Sequence, residues 1–60
     1  MEAFDFSEVI AQIDSQMQRI GWTTDREEKH LIKTYGKRSR FLLTEVELLD
    51  FLQYLQSQPE

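Results

Sequence analysis

Ser39, His30 and Asp25 supply the three side-chain types of a hydrolytic triad. In such a triad a histidine takes the serine proton and an acid fixes the histidine tautomer, so the three must converge in space. Here His30 and Asp25 share one predicted helix, and no nucleophile motif surrounds Ser39. Glu27-Glu28-Lys29-His30 contains the Glu-x-x-His spacing by which helical bundles hold di-iron centres. Those centres use the motif twice with two further carboxylates, and this sequence has a single histidine. Gly36-Lys37 is followed by Arg38, which lacks the hydroxyl that a phosphate-binding loop places on magnesium, and Gly21 and Gly36 are isolated. The acid pairs Glu27/Glu28 and Glu45/Glu47 stand at predicted helix starts, where caps and the helix dipole account for them. With no cysteine, thiolate metal sites and disulfides are excluded. The sequence therefore predicts no enzyme, no cofactor, no metal and no small-molecule substrate.

What remains is charge. The 60 residues carry a net −4, unevenly placed. Residues 1–25 hold five acids against Arg19, and residues 41–60 hold Glu45, Glu47, Asp50 and Glu60 with no base. Residues 26–40 hold six bases and two acids. A basic middle thus lies between acidic ends. Lys29, Lys33, Lys37, Arg38 and Arg40, with Tyr35 interleaved, gather at one helix end and the connection after it. Cations there would meet phosphates without regard to sequence, and an aromatic would stack a base. The plainer reading is that Lys29 and Lys33 complement a helix C-terminus and the loop bases pair with the acidic ends. All of these bases lie outside the apolar stripes, so neutralising Lys37, Arg38 and Arg40 is expected to leave the fold intact.

Three helices must position these residues. Asp5-Phe6-Ser7-Glu8 reads as a capping box, with Phe4 and Val9 as its hydrophobic staple. Phe6, Val9, Ile10, Ile13, Met17 and Ile20 form one stripe at spacings of three and four, with Asp14 and Arg19 on the other face, and Gly21 supplies the stop. Trp22 follows, placed to fold back on the core. Thr24-Asp25-Arg26-Glu27 reads as a second capping box, leading a helix with Leu31, Ile32 and Tyr35 inward, His30 beside them, and Gly36 as its end. Ser39 is placed to cap a short turn of Arg40, Phe41 and Leu42, and the apolar end of the connection, Phe41 to Leu43, is expected to drape over the core. Thr44-Glu45-Val46-Glu47 is a third capping box, with Leu43 and Leu48 as its staple. The last helix is expected to bury Leu48, Leu49, Leu52 and Leu55, with Val46, Phe51 and Tyr54 on its flanks, and Ser57-Gln58-Pro59-Glu60 to fray. The prediction is one all-α three-helix domain over 1–60, with helices at about 6–20, 25–35 and 45–57. Sixty residues bury only about 60% of their unfolded surface, so the core is thin.

Met1 to Asp5 is acidic where a secretory leader would be basic, and no apolar run nears a membrane span. A soluble cytoplasmic protein with no membrane partner is expected.

The pattern Gly36-Lys37-x-Ser39-x-x-Leu42-x-Thr44-x-x-Glu47-Leu48, followed by Phe51-Leu52 and Leu55, resembles a small helical module of phage-type recombination proteins. It is similar to the C-terminal appendages of single-strand annealing proteins and to a stretch in some phage transcriptional regulators. Including Ile20-Gly21-Trp22-Thr23, the resemblance spans about residues 20–56. It implies a DNA-repair or recombination context with this unit as an accessory, because the annealing core is absent. The Gly21-Trp22 pair also resembles the first loop of ubiquitin-associated three-helix domains, a likeness of architecture only. Two functions from different classes follow. One is a module that binds single-stranded nucleic acid weakly through Lys33, Tyr35, Lys37, Arg38 and Arg40. The other docks a protein partner or neighbouring domain on the apolar face of the last helix, with Trp22, Val46, Phe51 and Tyr54 as contacts.

Overall fold

A computed structural model describes residues 4–59. The order is α1 (Phe6–Ile20), α2 (Thr24–Tyr35), a single 3-10 turn (Arg40–Leu42) and α3 (Glu45–Gln56), an all-α three-helix domain as expected. Met1, Glu2, Ala3 and Glu60, which figure in the leader, charge and tail readings, lie outside the described residues.

Each helix boundary has a local cause. The Asp5 carboxylate accepts from the Glu8 N–H and starts α1. The reciprocal half of that box is not made, because the Glu8 carboxylate instead accepts from Gln12 one turn on. At the other end, Gly21 adopts φ 75°, letting the Trp22 N–H reach the Met17 carbonyl at 2.9 Å and the Gly21 N–H the Gln18 carbonyl at 3.3 Å. Gly36 closes α2 in the same left-handed conformation. The second cap is Thr23 rather than Thr24: its hydroxyl accepts from the Arg26 N–H, and α2 starts one residue earlier than the sequence predicts. Glu27 is thus not part of the cap, and it lies in the core, 6% exposed. Thr44 and Glu47 form the full reciprocal box at α3.

The core holds Ile13 and Met17 of α1, Leu31 of α2, Leu43 of the connection, and Leu48, Phe51, Leu52 and Leu55 of α3. Phe4, Val9, Ile10, Ile20, Trp22 and Tyr35 pack around it. The α1–α3 interface is the principal one between helices. Two expectations about α3 change. Phe51 is fully buried and Leu49 is 46% exposed, so the helix is rotated from the Leu48–Leu49–Leu52–Leu55 stripe towards Phe51. The cause is an aromatic cluster: Phe51 stacks on His30 at 5.4 Å and meets Trp22 at 6.3 Å, burial that a leucine could not match in area. In addition, Phe6 and Ile32 stand largely exposed at the edges of their stripes, and only Leu43 of the Phe41–Leu43 run is buried.

The C-terminus of α3 is held from another helix. Residues 41–60 contain no base to complement its carbonyls. Arg19, placed on the solvent face of α1 by its sequence, instead donates from Nη2 to the Leu55 and Gln58 carbonyls at 3.0 Å each. Ser57 closes α3, its N–H donating to the Gln53 and Tyr54 carbonyls, and the Gln58 N–H donates to the Leu55 carbonyl, so the predicted tail is hydrogen-bonded as far as Gln58. Phe51→Ala is expected to destabilise the domain by about 3–5 kcal/mol and Leu49→Ala by well under about 1 kcal/mol, measured by chemical denaturation followed by circular dichroism. Equal losses at the two positions would contradict the observed rotation of α3.

Candidate functional site

The connection between α2 and α3 gathers the residues predicted to bind, and the structure divides them. Arg40 turns inward. Its Nε lies 2.8 Å from Glu27 Oε2, its Nη1 3.8 Å from Asp14 Oδ1, and its Nη2 donates to the Met17 sulfur at 3.6 Å. The Arg40 and Glu27 side chains are 13% and 7% exposed, so this is a buried ion pair joining the connection to α1 and α2. The Nε–H is not aligned on Oε2 as a hydrogen bond, and that oxygen has no hydrogen-bond donor among the described residues. The contact is therefore one of charge with charge. Lys37 donates to Glu47 Oε1 at 2.6 Å, and the same oxygen accepts the Thr44 N–H at 2.9 Å. Ser39 accepts the Phe41 N–H and caps the turn, as its sequence position implied.

Of the five residues predicted to meet nucleic acid, Lys37 and Arg40 are thus bound to internal acids. Tyr35 is half-buried, and its hydroxyl donates to Asp50 Oδ2 at 2.7 Å. Only Lys33 and Arg38 are exposed with no acidic partner among the described residues. Arg40 does not stand free of the packed structure as the sequence implies: its guanidinium is largely covered against buried Glu27, so its neutralisation is expected to disturb the fold. Of the four residues predicted to meet a protein, Val46 is 75% exposed and Tyr54 partly exposed, Trp22 is half-buried, and Phe51 is wholly buried and presents nothing outward.

What the connection does present is apolar. Phe41 is 74% and Leu42 61% exposed, and Val46 follows in the first turn of α3. Phe41 also forms one wall of a groove of about 530 Å³, with Ser7, Ile10, Ala11 and Asp14 of α1 opposite and Arg40 at its side. The sequence implies that Phe41, Leu42 and Leu43 do not all face water, and that Asp14 is a solvent-face acid and Glu27 a capping acid; of the three apolar residues, Leu43 goes inward. Arg40 follows Lys37, Arg38 and Ser39, and nothing local marks it among those bases as the one that turns inward.

The groups considered for catalysis are occupied elsewhere. Asp25 pairs with Lys29 at 3.3 Å on the surface, and Ser39 is a cap. His30 lies flat against Tyr54 at 4.6 Å and Phe51 at 5.4 Å, with Trp22 edge-on, while the Arg26 guanidinium covers the Trp22 ring at 4.9 Å. Burial above all, and then the charge of Lys33, push the His30 imidazole below its ordinary value, with Asp50 pulling the other way. Burial first and the Asp50 hydrogen bond second push the Tyr35 phenol well above its usual range. The Lys37 hydrogen bond, followed by that from the Thr44 N–H, lowers Glu47. Among the described residues no cluster of three or more His, Asp or Glu side chains is placed to hold a metal ion, and no helix is long and apolar enough to cross a membrane.

No protein-family model matches this chain, and no solved structure matches it. An uncharacterized protein of Synechocystis sp., slr1353, is 50% identical over 56 residues. The match takes in 93% of this chain but only 19% of that protein, so the chain spans about a fifth of its relative's length.

Two outcomes follow from these contacts. Arg40→Met is expected to cost about 3–5 kcal/mol by leaving Glu27 buried without a counter-charge, and adding Glu27→Leu should recover most of the loss. A single variant as stable as the parent, by chemical denaturation, would show that the pair contributes no such constraint. Stability should also fall on acidification in two steps. The folded protein prefers neutral His30, so the first loss comes as the pH drops below its ordinary value of 6.5. It prefers ionised Glu47, whose contribution is present above its ordinary value of 4.5 and lost as the pH falls towards the lowered one. Thermal midpoints across this range should lose the lower step in Glu47→Gln, and an unchanged profile would contradict it.

Proposed function

We propose that this domain is a non-enzymatic docking module, accessory to a larger protein or assembly, which binds a protein segment through the apolar surface at Phe41, Leu42 and Val46. One observation carries the reading: three large apolar side chains within six residues are held in water on an element fastened from beneath. A connection that buried them would gain about 1.5–3 kcal/mol for each, and the Arg40 and Lys37 ties hold it in the other arrangement. Exposed apolar clusters on an ordered scaffold are characteristic of interaction surfaces. Partial coverage of slr1353 supports a unit that works within a longer chain, since in that protein the matching residues are joined to other sequence. The resemblance over residues 20–56 supports a DNA-recombination or repair setting, and the cytoplasm is the corresponding compartment. An accessory in such a setting need not touch DNA itself.

Direct contact with single-stranded nucleic acid is the second reading, and a specific feature favours it. Lys33 and Arg38 are exposed, and Phe41 offers a free aromatic face on the same connection. Two cations give little affinity. The expected salt dependence is a slope of about −1.4, at about 0.7 per phosphate neutralised.

The two are separated by selecting a phage-displayed random peptide library on the immobilised domain and titrating the same domain with a short single-stranded oligonucleotide at low salt. Docking predicts enriched peptides whose affinity falls about tenfold or more in Phe41→Ser/Leu42→Ser, at an unchanged melting temperature. No such peptides, together with oligonucleotide binding that is lost in Lys33→Gln/Arg38→Gln, would overturn docking in favour of the second reading.

A further inference from the structure

The groove beside Phe41 carries one acid and one base on its lining, Asp14 and Arg40, and the base is tied to the buried Glu27. Glu27, Arg40 and Asp14 form one network in which two carboxylates share a single guanidinium, a net charge of −1. The division is unequal. Arg40 stands 2.8 Å from Glu27, which is 7% exposed, but 3.8 Å from Asp14, which is 55% exposed. Coulomb attraction rises with shorter distance and lower dielectric, so the guanidinium is committed to Glu27 and neutralises Asp14 little. Among the described residues Asp14 Oδ2 accepts only the neutral Gln18 amide, at 3.0 Å. Asp14 therefore lines, as a half-exposed carboxylate, a groove completed by Ser7, by Ile10, Ala11 and Phe41, and by Arg40, whose guanidinium is tied to the buried Glu27.

Building on the docking reading, we infer that the occupant of this groove is a basic protein segment: an aliphatic side chain fills the space between Ile10 and Phe41, and a Lys or Arg within one helical turn of it pairs with Asp14. Charge complementarity chooses this occupant over the others. A phosphate backbone would meet the Asp14 carboxylate with like charge, and a second copy of a chain carrying net −4 would bring further like charge. An aliphatic residue beside a cation satisfies both walls together, and Glu27 and Arg40 need not move.

Two synthetic amphipathic helical peptides with identical leucine positions test this, one with lysines and one with glutamates on the polar face. Each is titrated into the isotope-labelled domain, with chemical shifts followed by NMR. The lysine peptide is expected to shift the signals of Ile10, Ala11 and Phe41 and to bind at least about tenfold more tightly than the glutamate peptide. Asp14→Asn should weaken the lysine peptide by about two- to fivefold while its melting temperature stays that of the parent, because the side chain is half in solvent. Equal binding of both peptides at these residues would overturn the basic-segment assignment and leave docking standing. Lysine-peptide shifts confined to other acidic surface would overturn the groove as the site. No binding of either peptide at Ile10, Ala11 and Phe41, with none at Leu42 and Val46, would overturn the inference and the docking reading together.

Discussion

The Arg40–Glu27 ion pair is the contact on which the form of this domain depends. It joins the connection before α3 to the first turns of α2, and through Asp14 and Met17 to the middle of α1. Buried ion pairs add little to stability over an apolar pair of the same size, because desolvation offsets the attraction. What they impose is arrangement, since either charge left alone in the core is costly. With Arg40 fixed, the turn that begins at it has its direction set. Leu43 goes into the core, and Phe41 and Leu42 go to the surface. Lys37–Glu47 secures the same connection from its other side by linking the end of α2 to the cap of α3.

This explains how a chain with its densest positive charge in one stretch presents so little of it. Lys37 and Arg40 are spent on acids of α3 and α2, and what faces outward is two exposed cations and exposed apolar side chains. A surface of this kind has little long-range pull on phosphates and a definite short-range fit to apolar side chains. The physical basis of the docking reading is thus a redistribution of charge by folding.

Local signals were legible in the sequence and non-local ones were not. Asp5 and Gly21 bound α1 at the residues predicted, and the Thr44–Glu47 box starts α3 where expected, because caps act over three or four residues. Thr23 and Thr24 are both competent caps; the choice between them goes with the inward turn of Glu27 towards a partner in the next connection. For α3, Leu48, Leu52 and Leu55 fit a stripe that includes either Leu49 or Phe51, and only the facing Trp22 and His30 decide for Phe51. The basic block was visible as composition, but its pairings, Arg40 with Glu27 and Lys37 with Glu47, have no helical spacing that marks them. The same holds for Arg19, which reaches the end of α3 from the opposite end of the sequence.

The central claim is that the connection is a fixed structural element rather than a mobile basic loop that orders on a ligand. Backbone nitrogen-15 relaxation of residues 37–44 in the free domain tests it directly. The account predicts order parameters of about 0.85, equal to those of the three helices, through Arg40, Phe41 and Leu42. Values below about 0.6 across these residues would contradict it, because Arg40 could not then be held against Glu27.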